Sequence, residues 1–117
     1  MRRLAIAGAI LASALAAPAL AQAVDLSKTT IQSADGTEVP VEIATPAGKG
    51  PFPPVLFIHA KRGYEGDERA HVRELAEQGF LVVAPDWQNG RFIERWPSAH
   101  NPDTEMDVEA GLDYLKS

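Results

Sequence analysis

Two uninterrupted apolar runs decide the fold: Val55-Leu56-Phe57-Ile58 and Phe80-Leu81-Val82-Val83-Ala84. Neither alternates with polar residues, which is the pattern of strands buried on both faces, as in a parallel sheet. Between them, residues 67–78 change to helical spacing. Val72, Leu75, Ala76 and the following Phe80 share one face, whereas Glu68, Arg69, Arg73, Glu74 and Glu77 are polar. Asp67 is the expected N-cap and Gly79 the expected helix stop. Strand, helix and strand within about thirty residues make a βαβ crossover, which is right-handed in nearly all sheets.

Upstream, residues 29–33 and 39–45 are β-prone and flank Ala34-Asp35-Gly36-Thr37. Asp-Gly between alternating residues is a hairpin signal. Residues 46–54 (PAGKGPFPP) read as a loop. Downstream, Pro85 ends the second run and a long loop, residues 86–101, carries Trp87, Phe92 and Trp96. Asn101-Pro102 is expected to open a second helix with Pro at its first position, and Val108, Gly111, Leu112 and Leu115 supply the apolar face. Such a helix would deliver the chain to a third parallel strand, and Ser117 comes first. The expected architecture is therefore a partial three-layer αβα sheet: hairpin, βαβ crossover and one further helix.

Length and charge narrow the function classes. At 117 residues the chain holds one domain at most, and with no cysteine it has no disulfide framework, thiolate metal site or thiol nucleophile of its own. A net charge of −5 argues against nucleic-acid binding, which draws its affinity from clustered Lys and Arg. Arg2 and Arg3 precede an apolar stretch at residues 4–17, and Ala21-Gln22-Ala23 supplies a small-x-small cleavage site, with Ala19-Leu20-Ala21 as the alternative. Residues 1–23 thus read as a secretory signal peptide, and residues 24–117 as an exported, periplasmic or secreted segment without a stable membrane anchor. A retained anchor is the competing reading, but the apolar run is short for a span.

Chemistry is expected at the C-terminal end of the first buried strand. There the chain reads His59-Ala60-Lys61-Arg62-Gly63-Tyr64-Glu65-Gly66, a Gly-containing loop leading into a helix N-terminus, where α/β sheets usually bind ligands. Backbone N–H groups in such a loop can face a developing oxyanion. His59-x-x-x-Gly63 is a variant of the H-G-x-x-G pattern of esterase oxyanion loops, with Ala60 in place of glycine.

At this point residues 51–91 (PFPPVLFIHAKRGYEGDERAHVRELAEQGFLVVAPDWQNGR) resemble the dienelactone hydrolase branch of the α/β-hydrolase superfamily. The matching elements are Pro-x-x-Pro before the strand, the His59 loop ending in Gly63, the Arg-Glu-Leu-Ala-Glu-Gln-Gly-Phe helix end, and Ala84-Pro85-Asp86. Residues 107–117 (DVEAGLDYLKS) resemble the helix before that family's nucleophile strand. The resemblance covers nearly all of residues 24–117 and less than half of the family's domain.

It implies an esterase mechanism acting on an ester or lactone through an acyl-enzyme, with no cofactor and no metal. The Cys or Ser nucleophile, the Asp and the His are all expected beyond Ser117, because no G-x-S-x-G or G-x-C-x-G occurs here, so the chain alone is expected to be inactive. The family carries over only an oxyanion loop of His59, Ala60, Lys61 and Gly63, with the backbone donor at Lys61. A Glu that the family often carries in this loop is Ala60 here, which favours a broader esterase relative over true dienelactone specificity. Arg91 falls one residue from the position of an arginine that binds substrate carboxylate, and Trp87 beside it is the other expected substrate contact.

Each sharp reading has a bland rival. His59 organises the loop or acts in the site. Lys61 and Arg62 draw anionic substrates or are simply solvated. Ser98, His100 and Asp103 are the side-chain types of a nucleophilic triad, crowded onto one loop without an elbow. Glu68-x-x-His71 has metal-ligand spacing but no second pair. Asp86 fixes a turn or does acid–base work. Trp87, Phe92 and Trp96 line a pocket or pack the loop. The rival for the whole chain is a non-catalytic exported binding or assembly module whose open sheet edge pairs with a second chain.

Overall fold

The computed structural model describes residues 23–97 and 99–117. All but the last residue of the expected signal peptide, and Ser98 of the crowded triad, lie outside the described residues. Four strands form one mixed sheet in the order β1-β2-β4-β3, with β1 at Asp25–Gln32, β2 at Glu38–Thr45, β3 at Pro54–Leu56 and β4 at Leu81–Pro85. The helices are α1, Gly66–Glu77, and α2, Thr104–Lys116.

The hairpin forms around the expected turn. Gly36 takes a left-handed φ of 86°, and the Asp35 carboxylate accepts from the Ser33 hydroxyl at 2.7 Å and the Thr37 amide at 3.0 Å. The first strand starts four residues earlier than residue 29, because Asp25 to Lys28 pair antiparallel with Thr45 to Glu42. Leu26 is the one apolar residue among these four and packs against the core on the α1 side; a single apolar residue is too little alternation to announce a strand, which the ladder pairing extends.

β4 pairs antiparallel with β2 and parallel with β3, so it is central, and all but its first residue are buried. Its apolar run matches that placement. β3 is shorter than expected and only partly buried: among the described residues it has one neighbour, and after the Phe57 amide donates to Val83 O at 2.9 Å the chain leaves the sheet. Ile58, expected inside a strand, is 54% exposed.

Alternation along β2 builds two cores. Ala44 faces α1 and packs with Val72, Ala76, Val82 and Ala84; Val39 and Val41 face α2 and pack with Val83, Leu56 and Leu115. The sheet is therefore sandwiched between helices, as expected of an αβα arrangement.

Helix α1 is capped at Glu65, not Asp67. Glu68 folds back so that its Oε1 accepts from the Glu65 amide at 3.1 Å, which moves the start upstream. Gly79, at φ 103°, ends it as expected. Helix α2 starts later than Pro102. Asn101 forms a side-chain turn first: its Oδ1 accepts from the Asp103 amide at 3.0 Å, and its carbonyl accepts from Thr104 Oγ1 at 2.7 Å. The buried face of α2 also differs. Thr104, Asp107 and Gly111 are buried, whereas Leu112 is 42% exposed. Helix α2 comes this close to the sheet because residue 111 has no side chain: a Cβ there would sit 2.9 Å from Pro85 Cγ and 3.0 Å from Leu56 Cδ1. No helix among the described residues is long and apolar enough to cross a membrane.

Candidate functional site

The C-terminal ends of β3 and β4 open onto a cavity of about 670 Å³. One wall is the loop after β3 (Ile58, His59, Ala60, Lys61). A second comes from Trp87, Ile93 and Pro97 of the loop after β4, and a third from Thr104, Glu105, Val108 and Glu109 of α2. The site thus lies where the crossover topology places it, beyond the carboxyl edge of parallel strands.

The loop after β3 is held by its carbonyls. Trp87 Nε1 donates to His59 O at 3.0 Å. The Ala60 carbonyl accepts from His59 Nδ1 at 2.8 Å and from the Gly63 amide at 3.0 Å. The Lys61 carbonyl accepts from Gln88 Nε2 at 2.5 Å and from the Trp96 amide at 3.0 Å. Three consecutive carbonyls are therefore engaged. The amides of Ala60, Lys61 and Arg62 donate to no acceptor among the described residues.

Two backbone features make this possible. Gly63 takes φ 102°, and a Cβ there would lie 3.0 Å from Gln88 Oε1, so glycine is needed both for the turn and for the approach of Gln88. Trp96 adopts φ 53°, an uncommon conformation for a bulky residue, and in it donates its amide to Lys61.

His59 is buried and stacks on Trp87, ring centroids 4.8 Å apart and planes within 5°. A carbonyl only accepts, so Nδ1 carries a proton in the bond to Ala60. Nε2 has no hydrogen-bond partner among the described residues and stands 3.4 Å from Asp86 Oδ1. Asp86 in turn accepts from the Gln88 amide at 3.2 Å, the Asn89 amide at 3.0 Å and Asn89 Nδ2 at 2.6 Å. Burial alone would raise its carboxyl; His59 and the bonds from Asn89 outweigh burial and hold it below the usual range. Asp86 is thus a turn-fixing carboxylate that organises the loop carrying Trp87 and Gln88.

The base of the loop is tied to the opposite face of the sheet. Tyr64 Oη and Arg69 Nε both donate to Glu42 Oε1 at 2.7 Å, and Arg69 lies 5.4 Å from the Tyr64 ring centre. Burial, then the Glu42 carboxylate, pushes the Tyr64 phenol well above its ordinary range.

The structure brings His59, Ala60, Lys61 and Trp87 together in the cavity wall, with Gly63 just behind them as the turn. Arg91 is not in that wall. Its guanidinium is only 10% exposed and is shared between Asp107 of α2 and Asp35 of the hairpin turn. Arg62 also faces away, bound to Glu68 Oε2 at 2.8 Å and Asp67 Oδ2 at 2.9 Å. Lys61 is therefore the one Lys or Arg lining the cavity among the described residues. Glu68 is occupied by Arg62 and the Glu65 amide, so it is not free to act with His71. His100 Nε2 lies 3.4 Å from Glu105 Oε1 and is exposed, and Asp103 serves as the N-cap position of α2. Phe92, 95% exposed, and Trp96, 68% exposed, do not line the cavity.

Gln88, Glu105 and Glu109 were not picked out by sequence. Gln88 binds a backbone carbonyl, for which no residue type is a signature, and the two glutamates read as an ordinary polar helix face.

These features place the chain in the α/β-hydrolase class by fold. Within that class the likeness is to dienelactone hydrolases and esterases. A protein from Klebsiella pneumoniae subsp. pneumoniae assigned as a dienelactone hydrolase matches with 26% identity and a TM-score of 0.60, over 80% of this chain and 42% of that one. Brefeldin A esterase, a bacterial homologue of human hormone-sensitive lipase, matches with 26% identity and a TM-score of 0.62, over 79% of this chain and 27% of that one. A dienelactone hydrolase-like promiscuous phosphotriesterase from metagenomic libraries shares 24% identity at a TM-score of 0.57, over 79% and 43%. The chain spans less than half the length of each. No protein-family model matches it, and no curated protein matches it by sequence at a significant level.

Proposed function

We propose that this chain supplies the oxyanion loop and part of the acyl pocket of an exported esterase acting on small-molecule esters or lactones. The observation that carries the proposal is the engagement of the carbonyls of His59, Ala60 and Lys61. In a planar trans peptide the N–H points opposite to the C=O. With those carbonyls held by Trp87, His59, Gly63, Gln88 and Trp96, the amides of Ala60, Lys61 and Arg62 are left without acceptors among the described residues, and Ala60 and Lys61 line the cavity. A row of such preorganised donors stabilises the oxyanion of acyl transfer, the charge that develops on the way to an acyl-enzyme. His59 then acts as a loop organiser through Ala60 and Trp87, and it touches no reacting atom.

The nucleophile belongs to residues encoded after Ser117. Among the described residues the cavity wall holds no serine or cysteine. The test compares the 117-residue chain with the same chain extended by whatever follows Ser117 in the gene, using 4-nitrophenyl butyrate. Turnover is expected only from the extended protein, and Lys61→Pro, which deletes one amide donor, is expected to lower it by about 100-fold or more. Turnover by the 117-residue chain that survives both His59→Ala and Ser98→Ala would overturn the proposal.

A further inference from the structure

Resting on the reading of this cavity as an acyl pocket, we infer that it favours uncharged substrates over carboxylates. Its body is apolar: Ile58, Trp87, Ile93 and Val108 form the walls. Its rim carries Lys61 on one side and Glu105 and Glu109 on the other. The glutamates lie four residues apart, so they project from one face of α2. His100 Nε2 lies 3.4 Å from Glu105 Oε1 on the same rim. Counting Lys61 against Glu105 and Glu109, the carboxylates exceed the ammonium by one unit.

The two arginines that would reverse this balance are both spent elsewhere. Arg91 is fastened to Asp107 and Asp35, and Arg62 to Glu68 and Asp67. A substrate carboxylate would enter past two like charges and meet no guanidinium. A neutral ester or lactone of similar shape meets the same apolar wall without that penalty. The glutamates are exposed and solvent-screened, so the discrimination is modest, about 4-fold at low ionic strength, and shrinks as salt rises.

Phenylacetamide and phenylacetate form a suitable probe pair, nearly identical in shape and differing by one charge. Each is titrated into the ¹⁵N-labelled 117-residue chain in low-salt buffer, following the indole N–H of Trp87, with that of Trp96 as the control outside this cavity. Phenylacetamide is expected to bind about 4-fold more tightly, and Glu105→Gln with Glu109→Gln, which leaves Lys61 as the remaining fixed rim charge, is expected to reverse the preference toward phenylacetate. Equal or tighter binding of phenylacetate to the unsubstituted chain, or a preference that the double variant leaves intact, overturns the charge selection while leaving the acyl pocket standing. If neither probe moves the Trp87 signal, the pocket and the selection built on it both fall.

Discussion

The guanidinium of Arg91 grips the Asp107 carboxylate with two bonds, Nε to Oδ2 at 3.0 Å and Nη2 to Oδ1 at 2.9 Å, while Nη1 reaches Asp35 at 2.9 Å. One side chain thus joins the hairpin turn, the loop after β4 and helix α2. Asp107 is fully buried, so truncating it strands a cation with half its partners gone. Asp107→Ala is expected to cost ~3 kcal/mol in urea unfolding. Arg91→Met combined with Asp107→Leu is expected to cost clearly less, because no unpaired charge is then buried. A double variant as unstable as the single one would show that the pair does more than neutralise its own burial.

Acid should weaken the fold through carboxylates that are held ionised. Asp35 is held far below its ordinary value, first by Arg91 and then by Ser33 and Thr37; Glu68 is lowered chiefly by Arg62; Asp86 is lowered by His59 and Asn89 against the effect of burial. A depressed native pKa means that the unfolded chain binds more protons, so this stability is whole above the unfolded values of 3.8 for Asp and 4.5 for Glu. It drains away as pH falls through the lower native values. The urea midpoint is expected to hold steady above about pH 5.5 and to fall between about pH 5 and pH 2. Asp35→Asn should flatten part of that slope, and an unchanged slope would remove Asp35 from the account.

Gly111 offers a test whose sign is diagnostic. On an exposed helix, Gly→Ala gains up to ~1 kcal/mol. Here the added methyl would meet Pro85 Cγ at 2.9 Å and Leu56 Cδ1 at 3.0 Å, and the proline ring cannot swing aside. Gly111→Ala is therefore expected to destabilise by ~1–3 kcal/mol in thermal or urea unfolding. A neutral or stabilising result would mean that α2 does not sit this close to β4.

These relationships explain what was legible in the sequence. The apolar runs at β3 and β4, the Asp35-Gly36 turn and the Gly79 stop each state their own conformation locally, so the crossover and hairpin could be read directly. The same holds for His59 and Gly63, whose spacing marks the loop. Asp107 could not be read that way: a buried aspartate is meaningful only once Arg91, sixteen residues upstream, is known to lie against it. Its pairing with Arg91 puts Asp107 on the inward face of α2, and Leu112 stays 42% exposed. Arg91 misled in the same manner, because its position after Pro85-Asp86 suggested a ligand contact while its actual partners come from two distant elements. The first half of β1, with Leu26 as its one apolar residue, shows itself mainly through its pairing with β2.

The bond from Gln88 to the Lys61 carbonyl is the contact most open to direct measurement. Gln88 is 3% exposed, and its Nε2 donates to a carbonyl whose other donor among the described residues is the Trp96 amide. Removing the donor should loosen the proposed oxyanion loop without disturbing the sheet. Gln88→Met keeps most of the volume and deletes the hydrogen bond, which separates donation from packing. Amide exchange at Trp96 and Gly63 is expected to accelerate by about 10-fold, the equivalent of one hydrogen bond of ~1 kcal/mol. Leu81, whose amide donates to Pro53 O inside the sheet, should exchange as before. In the extended protein the same variant should lower kcat more than it raises KM, because a loosened donor row binds the substrate nearly as well and the oxyanion less well. Unchanged exchange at Trp96 and Gly63 would show that Trp87 and the Trp96 amide hold the loop without Gln88.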